Sequence, residues 1–422
     1  ALLHAARVLA QARQARQFGF QVAETTDWEA VRKHIRTATE TIRVHENAAW
    51  LGETERVDVE LGTARFSGPD EVTVNNRRFR AKRIVVATGS SPRWLEVPGS
   101  EKVDFLTNET VFEMPRLPKH LLIVGAGPQG VEMAQAFARL GCAVTVVSDK
   151  ARIMERELPE LTEILLKRLE NESVAFKLNC EVSAFADAHT ARLTHRDGAA
   201  ETLSFDAVLL ATGRTHRWDD LNLPAAGIAT ENGRLKVDAF LQTTNRRVWA
   251  VGDAAGPPYF THAAELHASV LLNNFLSPLP KRVSYDHFSW VTFTDPELAT
   301  FGLSPDEIAR RGIRHEKLVL DLTGDDRAVT DGRTEGRLVL YIRPAHLNPL
   351  GAKLLGGSVL APHAGETVHE LILARQQNLS VGALFNKIYP YPTATRMNKW
   401  LLTEHFSATL PGWLKKAVKW LY

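Results

Sequence analysis

The segment LLIVGAGPQGVEMA, from Leu121 to Ala134, carries a glycine motif between an apolar strand and a helical pattern. Its three glycines, Gly125, Gly127 and Gly130, have the spacing G-x-G-x-x-G. In a βαβ unit the first allows a tight turn, the second lets backbone approach a pyrophosphate, and the third lets the helix pack closely on the strand. The helix N-terminus then offers free N–H groups to phosphates. The segment therefore predicts a parallel α/β domain that binds a dinucleotide, with a simple glycine-rich turn as the alternative.

The strand CAVTVVSD, from Cys142 to Asp149, completes this unit and bears on the choice of nucleotide. An NAD site favours an acidic residue at the end of this strand, where it bonds the ribose hydroxyls. That position is Ser148, and Asp149 and Arg152 follow it. A small residue with a nearby cation suits a 2′-phosphate, so the pattern favours NADP. NAD is the alternative, because Asp149 could bond its ribose hydroxyls. A solvated charged loop that binds no nucleotide is a further alternative.

Two strands end in Ala-Thr-Gly, although there is only one glycine motif. The first is IVVATGSSPRW, from Ile84 to Trp94, and the second is AVLLATGRTHRW, from Ala207 to Trp218. This imbalance predicts a duplicated nucleotide-binding architecture whose first half lacks its beginning. Since the first residue is Ala1 rather than Met, a fragment or a processed chain is expected.

The segment VWAVGDAAGPPYFTHAAELHA, from Val248 to Ala268, combines a buried strand with a helix start. The strand ends in Gly252 and Asp253, and the helix begins near Thr261 and His262. A carboxylate at a strand end can accept hydrogen bonds from sugar-type hydroxyls, and a helix N-terminus can stabilise a developing negative charge. A turn aspartate followed by an ordinary N-cap threonine explains the same residues without a ligand.

Length and composition exclude several classes of protein. A chain of 422 residues is expected to form two or three domains. Its 51 Lys and Arg balance 49 Asp and Glu, so no global charge favours nucleic acid. Two cysteines, Cys142 and Cys180, exclude a disulfide framework and favour a reducing, cytoplasmic compartment; both are expected to be buried thiols. No apolar run approaches the ~20 residues of a membrane helix.

The rest of the sequence shows short patterns that predict individual helices, turns and strands. Helical spacing covers the first 46 residues, and the sequence from Thr26 to Glu29 reads as a capping box. Turns are expected at Gly68-Pro69 and Asn75-Asn76, and residues 92–118 read as a crossing linker. Residues 121–240 alternate strand and helix patterns as a parallel α/β domain does. Strands followed by helices are expected from Tyr285 onward.

In order along the chain, these motifs resemble the FAD-dependent pyridine nucleotide–disulfide oxidoreductases, a family that includes dihydrolipoamide dehydrogenase, glutathione reductase and mercuric reductase. ALLHAA, ATGSSP, GAGPQGVEMAQ, ATGRT, VGDAAG, FTDPELATFGLS, DRAVTDGRTEG and APHAGETVHE carry the resemblance. It implies an α/β fold with two Rossmann-like domains, for FAD and for NAD(P), and a C-terminal α+β dimerisation domain. The implied domains are FAD-binding (1–115 and 241–284), NAD(P)-binding (116–240) and dimerisation (285–404), followed by an amphipathic tail (405–422).

The resemblance also implies roles for individual residues. Asp253 with Gly252 would bond the ribityl chain of FAD, and Thr261 and His262 would face the flavin ring. Thr88 and Gly89 would approach the flavin, and Ala64 would contact the adenosine end through its backbone. Glu132 would lie near the flavin–nicotinamide junction. The nicotinamide nucleotide would be held by Gly125, Ala126, Gly127, Pro128, Gln129, Gly130, Ser148, Val182 and Gly213, to which the strand-end pattern adds Arg152.

The reaction implied is hydride transfer from the nicotinamide to FAD in a homodimer, and then to a small-molecule electron acceptor: a disulfide, a quinone or a metal species. The family's first glycine motif, its Cys-x-x-x-x-Cys redox pair and a lysine that pairs with the glutamate are expected upstream of Ala1. A non-catalytic nucleotide-binding dimer of the same fold is the competing hypothesis.

The C-terminal sequence departs from the disulfide-reducing members. IYPYPTATRMNKW places Tyr391 and Arg396 where those members have a histidine and a glutamate. Tyrosine ordinarily ionises only near pH 10, so base chemistry by such a dyad is disfavoured. Tyr391 is then an acid or a lid over the flavin, or it packs at the dimer interface. In the tail, Trp413, Leu414 and Leu421 share a helical stripe that suits docking on the protein's own body or, less commonly, a membrane surface.

Overall fold

The N-terminal segment is helical, as the spacing predicts. The computed structural model describes residues 1–21, 25–216, 218–345 and 348–409. The first helices are α1 (Leu2–Gln14), α2 (Trp28–Arg43) and α3 (Ala48–Glu53). The predicted capping box at Thr26 is wrong, because Asp27 is the N-cap of α2 and its side chain accepts a hydrogen bond from the Ala30 N–H.

A short antiparallel sheet follows, with the turns where the sequence predicts them. Its strands are β1 (Arg65–Gly68), β2 (Glu71–Val74) and β3 (Arg77–Arg80), and then come β4 (Ile84–Val86) and β5 (Ser91–Pro92). Asn75 and Asn76, between β2 and β3, have φ angles of 48° and 66°. Asparagine tolerates this left-handed backbone, which two-residue hairpin turns require.

The next region, here called the glycine-motif region, surrounds the G-x-G-x-x-G segment. Its elements are β6 (Phe105–Leu106), β7 (His120–Val124), α4 (Pro128–Leu140), β8 (Ala143–Ser148), α5 (Pro159–Asn171), β9 (Val174–Leu178), β10 (Cys180–Asp187), β11 (Thr190–His195), β12 (Ala200–Ser204) and β13 (Ala207–Leu210). Five parallel strands form one sheet in the order β6-β13-β7-β8-β9. The crossing linker thus contributes an edge strand.

The simple strand–helix alternation expected up to residue 240 is wrong in one part. Strands β10, β11 and β12 form a separate antiparallel sheet. Their connections are too short for a crossover helix, which parallel pairing requires, so these strands can pair only as hairpins. Gly198, with a φ of 89°, lies in the second turn.

The chain then returns to the first sheet. The elements are β14 (Arg214–Thr215), β15 (Thr230–Glu231), β16 (Arg234–Leu235), β17 (Val248–Ala250) and α6 (Thr261–Leu276). β17 pairs with β4 as a two-stranded parallel sheet, and β14 pairs with β5, so the two Ala-Thr-Gly segments meet. We call β1–β4, β17 and α6, with residues 221–255, the paired-strand region.

The segment before residue 240 packs in part on the paired-strand region. Leu223, Ala226, Ile228 and Leu235 lie in one buried cluster with residues of β1, β4 and β17. The domain boundary after residue 240 stays a prediction.

The C-terminal region is an antiparallel sheet covered by helices. Its elements are β18 (Ser289–Thr292), β19 (Glu297–Gly302), α7 (Pro305–Arg310), β20 (Glu316–Asp321), α8 (Asp326–Thr330), β21 (Arg337–Arg343), β22 (Lys353–Ala361), α9 (Ala364–Thr367), α10 (His369–Gln376), α11 (Val381–Asn386) and α12 (Arg396–Thr409). The strand order is β18-β19-β22-β21-β20. In the described part of the chain, no helix combines the length and apolarity needed to cross a membrane. The stripe predicted around Trp413 lies outside the described residues.

Candidate functional site

Each glycine of the motif has its own steric surroundings. A Cβ on Gly125, whose φ is 112°, would lie 2.3 Å from the carbonyl oxygen of Ala211, and one on Gly130 would lie 2.0 Å from that of Gly125. At Gly127 an added Cβ would meet no described heavy atom within 4 Å. The first and third glycines are therefore required by the packing of the strand, turn and helix. The second leaves open space, which is where a pyrophosphate approaches in this type of motif.

The N-terminus of α4 begins at this open space. Gly127 is the N-cap, no side chain caps the helix, and Pro128 takes the first turn. The first N–H groups of a helix have no partner within it, so those of Gln129 and Gly130 are available to an anion. Ala126 is 4% exposed, and its carbonyl oxygen accepts the Met154 N–H at 2.8 Å. These residues fit the phosphates of a dinucleotide.

The residues after β8 decide how the adenosine ribose would be held. Ser148 is buried, and its Oγ accepts a hydrogen bond from the Lys150 N–H. Asp149 pairs with Lys150 at 3.0 Å. Arg152 donates through Nη2 to the Glu155 carbonyl oxygen, and its Nη1 is buried with no hydrogen-bond partner among the described residues. A buried unpaired guanidinium nitrogen fits an anionic group better than a neutral hydroxyl.

Val182 and Gly213, which are also expected at the nucleotide, have different surroundings. Val182 is 4% exposed and packs in the core between the two sheets of the glycine-motif region, so only its backbone can reach a ligand. Gly213 lies in the second Ala-Thr-Gly segment with a φ of 103°. Its carbonyl oxygen accepts the Arg93 N–H at 3.0 Å.

The meeting of the two Ala-Thr-Gly segments fixes Asp253. Ser90 Oγ donates to Asp253 Oδ2 at 2.5 Å, and Arg214 Nε lies 3.2 Å from the same oxygen. Arg214 also donates through Nη2 to the Ser90 carbonyl oxygen at 2.7 Å. Sequence reasoning missed Ser90 and Arg214, which directly follow the two glycines. The side-chain contacts of Asp253 with described residues use Oδ2, which leaves Oδ1 for a hydroxyl group.

Three of the residues assigned to the flavin, Thr88, Gly89 and Gly252, follow the carboxyl ends of β4 and β17, where Asp253 also lies. Thr88 is exposed, and a Cβ on Gly89 would meet no described atom within 4 Å. Gly252 donates its N–H to His267 Nδ1 at 3.0 Å. Ala64, half-buried, immediately precedes β1. The exposed threonine and the open glycine leave room for a planar ligand beside Asp253.

The start of α6 lies beside the C-terminal region. The N-cap is Phe260, and Thr261 is already the first helical residue and exposed, so it is not the N-cap that the ligand-free interpretation required. His262 directs Nε2 to the Ser289 carbonyl oxygen at 2.7 Å and stacks on Phe288, with ring centroids 4.6 Å apart. The histidine thus contacts the C-terminal region, and its place beside the flavin ring stays a prediction. Its exposed ring joins α6 to β18.

Glu132 lies on α4 against the C-terminal region. Its carboxylate accepts the Phe293 N–H at 2.6 Å. Burial raises the pKa of Glu132 to about 7, and the hydrogen bond from Phe293 opposes this rise. Gln135 and Arg139 contact Asp295 from the same helix, through its carbonyl oxygen at 2.8 Å and its carboxylate at 3.0 Å. The polar spacing 132, 135 and 139 in an otherwise apolar helix was the available sequence signal for this second contact face.

Tyr391 belongs to a different part of the molecule. It is 66% exposed, and the Arg396 guanidinium carbon lies 4.8 Å from its ring centroid. Both residues line a cavity of about 350 Å³ with Trp400 and Arg327. The residues lining this cavity include none of the glycine motif and none around Asp253. Within one chain, Tyr391 is therefore separate from the nucleotide and flavin residues.

Comparison with known proteins gives family matches over most of the chain. Residues 3–268 match the model of the pyridine nucleotide-disulphide oxidoreductases, and residues 288–402 match the dimerisation domain of the same family. The mercuric reductase of Lysinibacillus sphaericus is 30% identical over 339 residues, covering 80% of this chain and 61% of the relative. The mercuric reductase of Streptomyces lividans is 33% identical over 341 residues, covering 79% and 70%.

A dihydrolipoyl dehydrogenase is covered more fully than these two mercuric reductases. The dihydrolipoyl dehydrogenase of Thermus scotoductus is 30% identical over 400 residues, covering 93% of this chain and 84% of the relative. Among solved structures, the HOCl-induced flavoprotein disulfide reductase RclA from Escherichia coli aligns with a TM-score of 0.82 at 22% identity, over 96% of this chain and 89% of that one. That likeness shows a shared fold. The chain spans only 61% and 52% of the mercuric reductases of Lysinibacillus sphaericus and Bacillus cereus.

Proposed function

The chain belongs to the pyridine nucleotide–disulphide oxidoreductase family, and on this premise we propose that it is an FAD-dependent NAD(P)H oxidoreductase. It takes reducing equivalents from a nicotinamide nucleotide bound at the glycine motif. It delivers them, through a flavin bound beside Asp253, to a small-molecule acceptor. Disulfides, quinones and metal species are the three candidate classes of acceptor.

The observation that carries this proposal is the open space at Gly127. The first and third glycines are enclosed by backbone, whereas the second faces no described atom at the N-terminus of α4. A glycine-rich turn that served packing alone would not need this space. A pyrophosphate does need it, because its oxygens approach the backbone N–H groups directly.

Each region of the chain then has a separate task. When bound, FAD accepts a hydride from the nicotinamide and passes electrons onward. Asp253 orients a sugar-type hydroxyl through Oδ1, while Ser90 and Arg214 hold its other oxygen. The carboxyl group of Glu132, with a pKa near 7, can hold or release a proton at the operating pH of most enzymes.

The nucleotide is NADPH in this proposal. The buried Nη1 of Arg152 has no described partner, and Asp149 is occupied by Lys150. A 2′-phosphate would pair with the Arg152 nitrogen without displacing Lys150 from Asp149. NADH, which lacks that phosphate, would leave the guanidinium nitrogen unpaired.

The active form is a homodimer assembled through residues 285–404, in keeping with the matched dimerisation domain. Tyr391 and Arg396 line an exposed cavity of that domain, where a partner subunit or an acceptor can reach them. Two buried cysteines with free thiols suit a reducing, cytoplasmic compartment.

Visible absorption during anaerobic reduction tests the proposal. We expect the protein to bind FAD and to lose the oxidised-flavin absorption when NADPH is added. A protein that binds NADPH, as followed by the nucleotide's fluorescence, but takes up no FAD would contradict it. That result would favour a non-catalytic nucleotide-binding dimer.

A further inference from the structure

We propose that Cys180, His195 and Glu201 form a binding site for one divalent cation of the zinc class. The three side chains come from the neighbouring strands β10, β11 and β12, and their donor atoms all lie within 4.8 Å of one another. The site shares no residue with those assigned to the nucleotide and the flavin, and it goes beyond the proposed oxidoreductase activity.

The sheet register places the three side chains on one face. Cys180 and His195 are directly opposite each other in the antiparallel pair β10–β11. Glu201 is opposite Leu193, two positions before His195, so Glu201 and His195 are diagonal neighbours on the same face. Opposite residues of such a pair have Cβ atoms about 5 Å apart, which is close enough for two side chains to share an ion.

The histidine is already oriented. His195 Nε2 lies 2.8 Å from Glu201 Oε1, which fixes the ring next to the thiol. Cys180 is 1% exposed, whereas His195 and Glu201 are partly exposed, so the donors line a path from solvent to a buried sulfur. Tetrahedral zinc holds its ligand atoms roughly 3.3 to 3.8 Å apart, so closing the group requires shifts of about 1 Å.

The donor set indicates the class of metal. A thiolate sulfur, an imidazole nitrogen and a carboxylate oxygen match the ligands of zinc and other late transition metals. Magnesium and calcium favour oxygen ligands throughout, so they fit this set poorly. Three protein ligands leave the fourth position for water.

Lys177 neutralises the glutamate when no metal is bound. Its Nζ lies 2.8 Å from Glu201 Oε1 and 2.9 Å from Oε2. A divalent cation would compete with this ammonium group for the same carboxylate. Removing Lys177 should therefore strengthen metal binding without removing any ligand.

A second group of donors, Glu297, His363 and Glu366, contains no thiol. Glu297 Oε1 pairs with Arg7 at 3.0 Å, and its Oε2 accepts the Gly365 N–H at 3.1 Å. Glu297 is 5% exposed, so an ion there would have to break a largely buried ion pair, whereas the Lys177–Glu201 pair is partly exposed. We therefore assign the site to Cys180 and not to Glu297.

The test uses chelator-treated full-length protein with Zn²⁺ in calorimetry and Co²⁺ in absorption spectroscopy. We expect one Zn²⁺ per chain with a Kd of about 1 μM or below, and a sulfur-to-cobalt charge-transfer band. Cys180→Ser should abolish the band. Cys142→Ser, which removes the other buried thiol of the same region, should leave it unchanged. No stoichiometric binding, or equal loss in both variants, overturns the assignment.

Two more variants keep the test decisive if Cys180→Ser does not fold. His195→Asn should weaken Zn²⁺ binding at least about tenfold, because one of three ligands is lost. Lys177→Met should strengthen it by up to about fivefold, as expected for losing a partly exposed ion pair. If neither affinity changes, the metal lies elsewhere and the proposal is wrong.

Discussion

Helices α4 and α6 each follow a parallel strand, yet they are packed very differently. Nine of the 13 residues of α4 are buried, whereas four of the 16 residues of α6 are. The sheet beside α4 has five strands, and the parallel sheet of the paired-strand region has two. The glycine-motif region is therefore held by a large core, to which α1, α2 and the C-terminal region also contribute. The paired-strand region keeps apolar surface exposed, including Leu272 and Leu276 of α6.

This difference separates two ways of preparing a binding site. At the glycine motif, backbone packing fixes the shape, because Gly125 and Gly130 leave no room for a Cβ. Around Asp253, the shape is fixed by polar contacts from Ser90 and Arg214, with which a bound group can exchange hydrogen bonds. We therefore expect the packing at the glycine motif to stabilise the fold without a ligand. The site around Asp253 is expected to gain stability mainly when a ligand binds.

The largest expected effect compares the last residues of the two helices. Leu140 ends α4 and is 3% exposed, while Leu276 ends α6 and is 78% exposed. Leu140→Ala should lower the free energy of unfolding by about 2 to 5 kcal/mol, since it leaves a cavity in the core. Leu276→Ala should change it by less than about 0.5 kcal/mol. Urea unfolding of both variants measures this, and equal losses would remove the contrast.

The next effect concerns the buried carboxyl group of the well-packed helix. Burial raises the pKa of Glu132 from its ordinary 4.5 to about 7. Between these values the folded chain binds more protons than the unfolded chain, so stability falls as pH rises through this window. Glu132→Gln does not ionise, so its stability relative to the wild type should grow by up to ~3 kcal/mol from pH 4.5 to above pH 7.

Unfolding midpoints of the wild type and of Glu132→Gln, measured across this pH range, test the predicted growth in relative stability. Glu163→Gln, at an exposed position on α5, serves as the control and should follow the wild type at every pH. A pH-independent difference between Glu132→Gln and the wild type would mean that folding does not raise the pKa of Glu132, which would contradict this prediction.

A smaller effect is expected at the nucleotide. Arg152→Ala should weaken NADPH binding about tenfold or more and leave NADH binding nearly unchanged, because a charge-assisted contact to phosphate is lost. The exposed neighbour Arg156 provides the control as Arg156→Ala. Fluorescence titration with both nucleotides measures this. Equal effects on NADPH and NADH would show that the NADP assignment is wrong.

The sequence was sufficient where the structural requirement is local. The strand, turn and helix around Gly125 follow from steric limits within a few residues, and the Asn75-Asn76 turn follows from backbone preference. Family resemblance supplied the two-nucleotide architecture and the dimerisation domain, which the comparisons confirm.

The sequence was insufficient where segments that are far apart along the chain meet in the fold. Ser90 and Asp253 are 163 positions apart, and Arg214 is 124 positions from Ser90, so no periodicity connects them. The antiparallel pairing of β10 with β11 and the packing of residues 221–237 on β4 also depend on tertiary contacts. The cap of α2 was misplaced by one residue, because adjacent Thr26 and Asp27 are both acceptable caps.

The central claim is that the open space at Gly127 receives the nucleotide that reduces the flavin. Gly127→Ala tests it, since the φ of −73° suits any residue and the new Cβ would meet only open space. Gly52→Ala, at a glycine in α3 where an added Cβ would meet only the Val57 carbonyl oxygen at 3.9 Å, is the matched control. The measurement is the NADPH concentration that gives half-maximal anaerobic bleaching of the FAD-loaded protein.

We expect that concentration to rise about tenfold or more in Gly127→Ala, with unchanged thermal stability, and to stay at the wild-type value in Gly52→Ala. Bleaching of Gly127→Ala at the wild-type NADPH concentration would contradict the account.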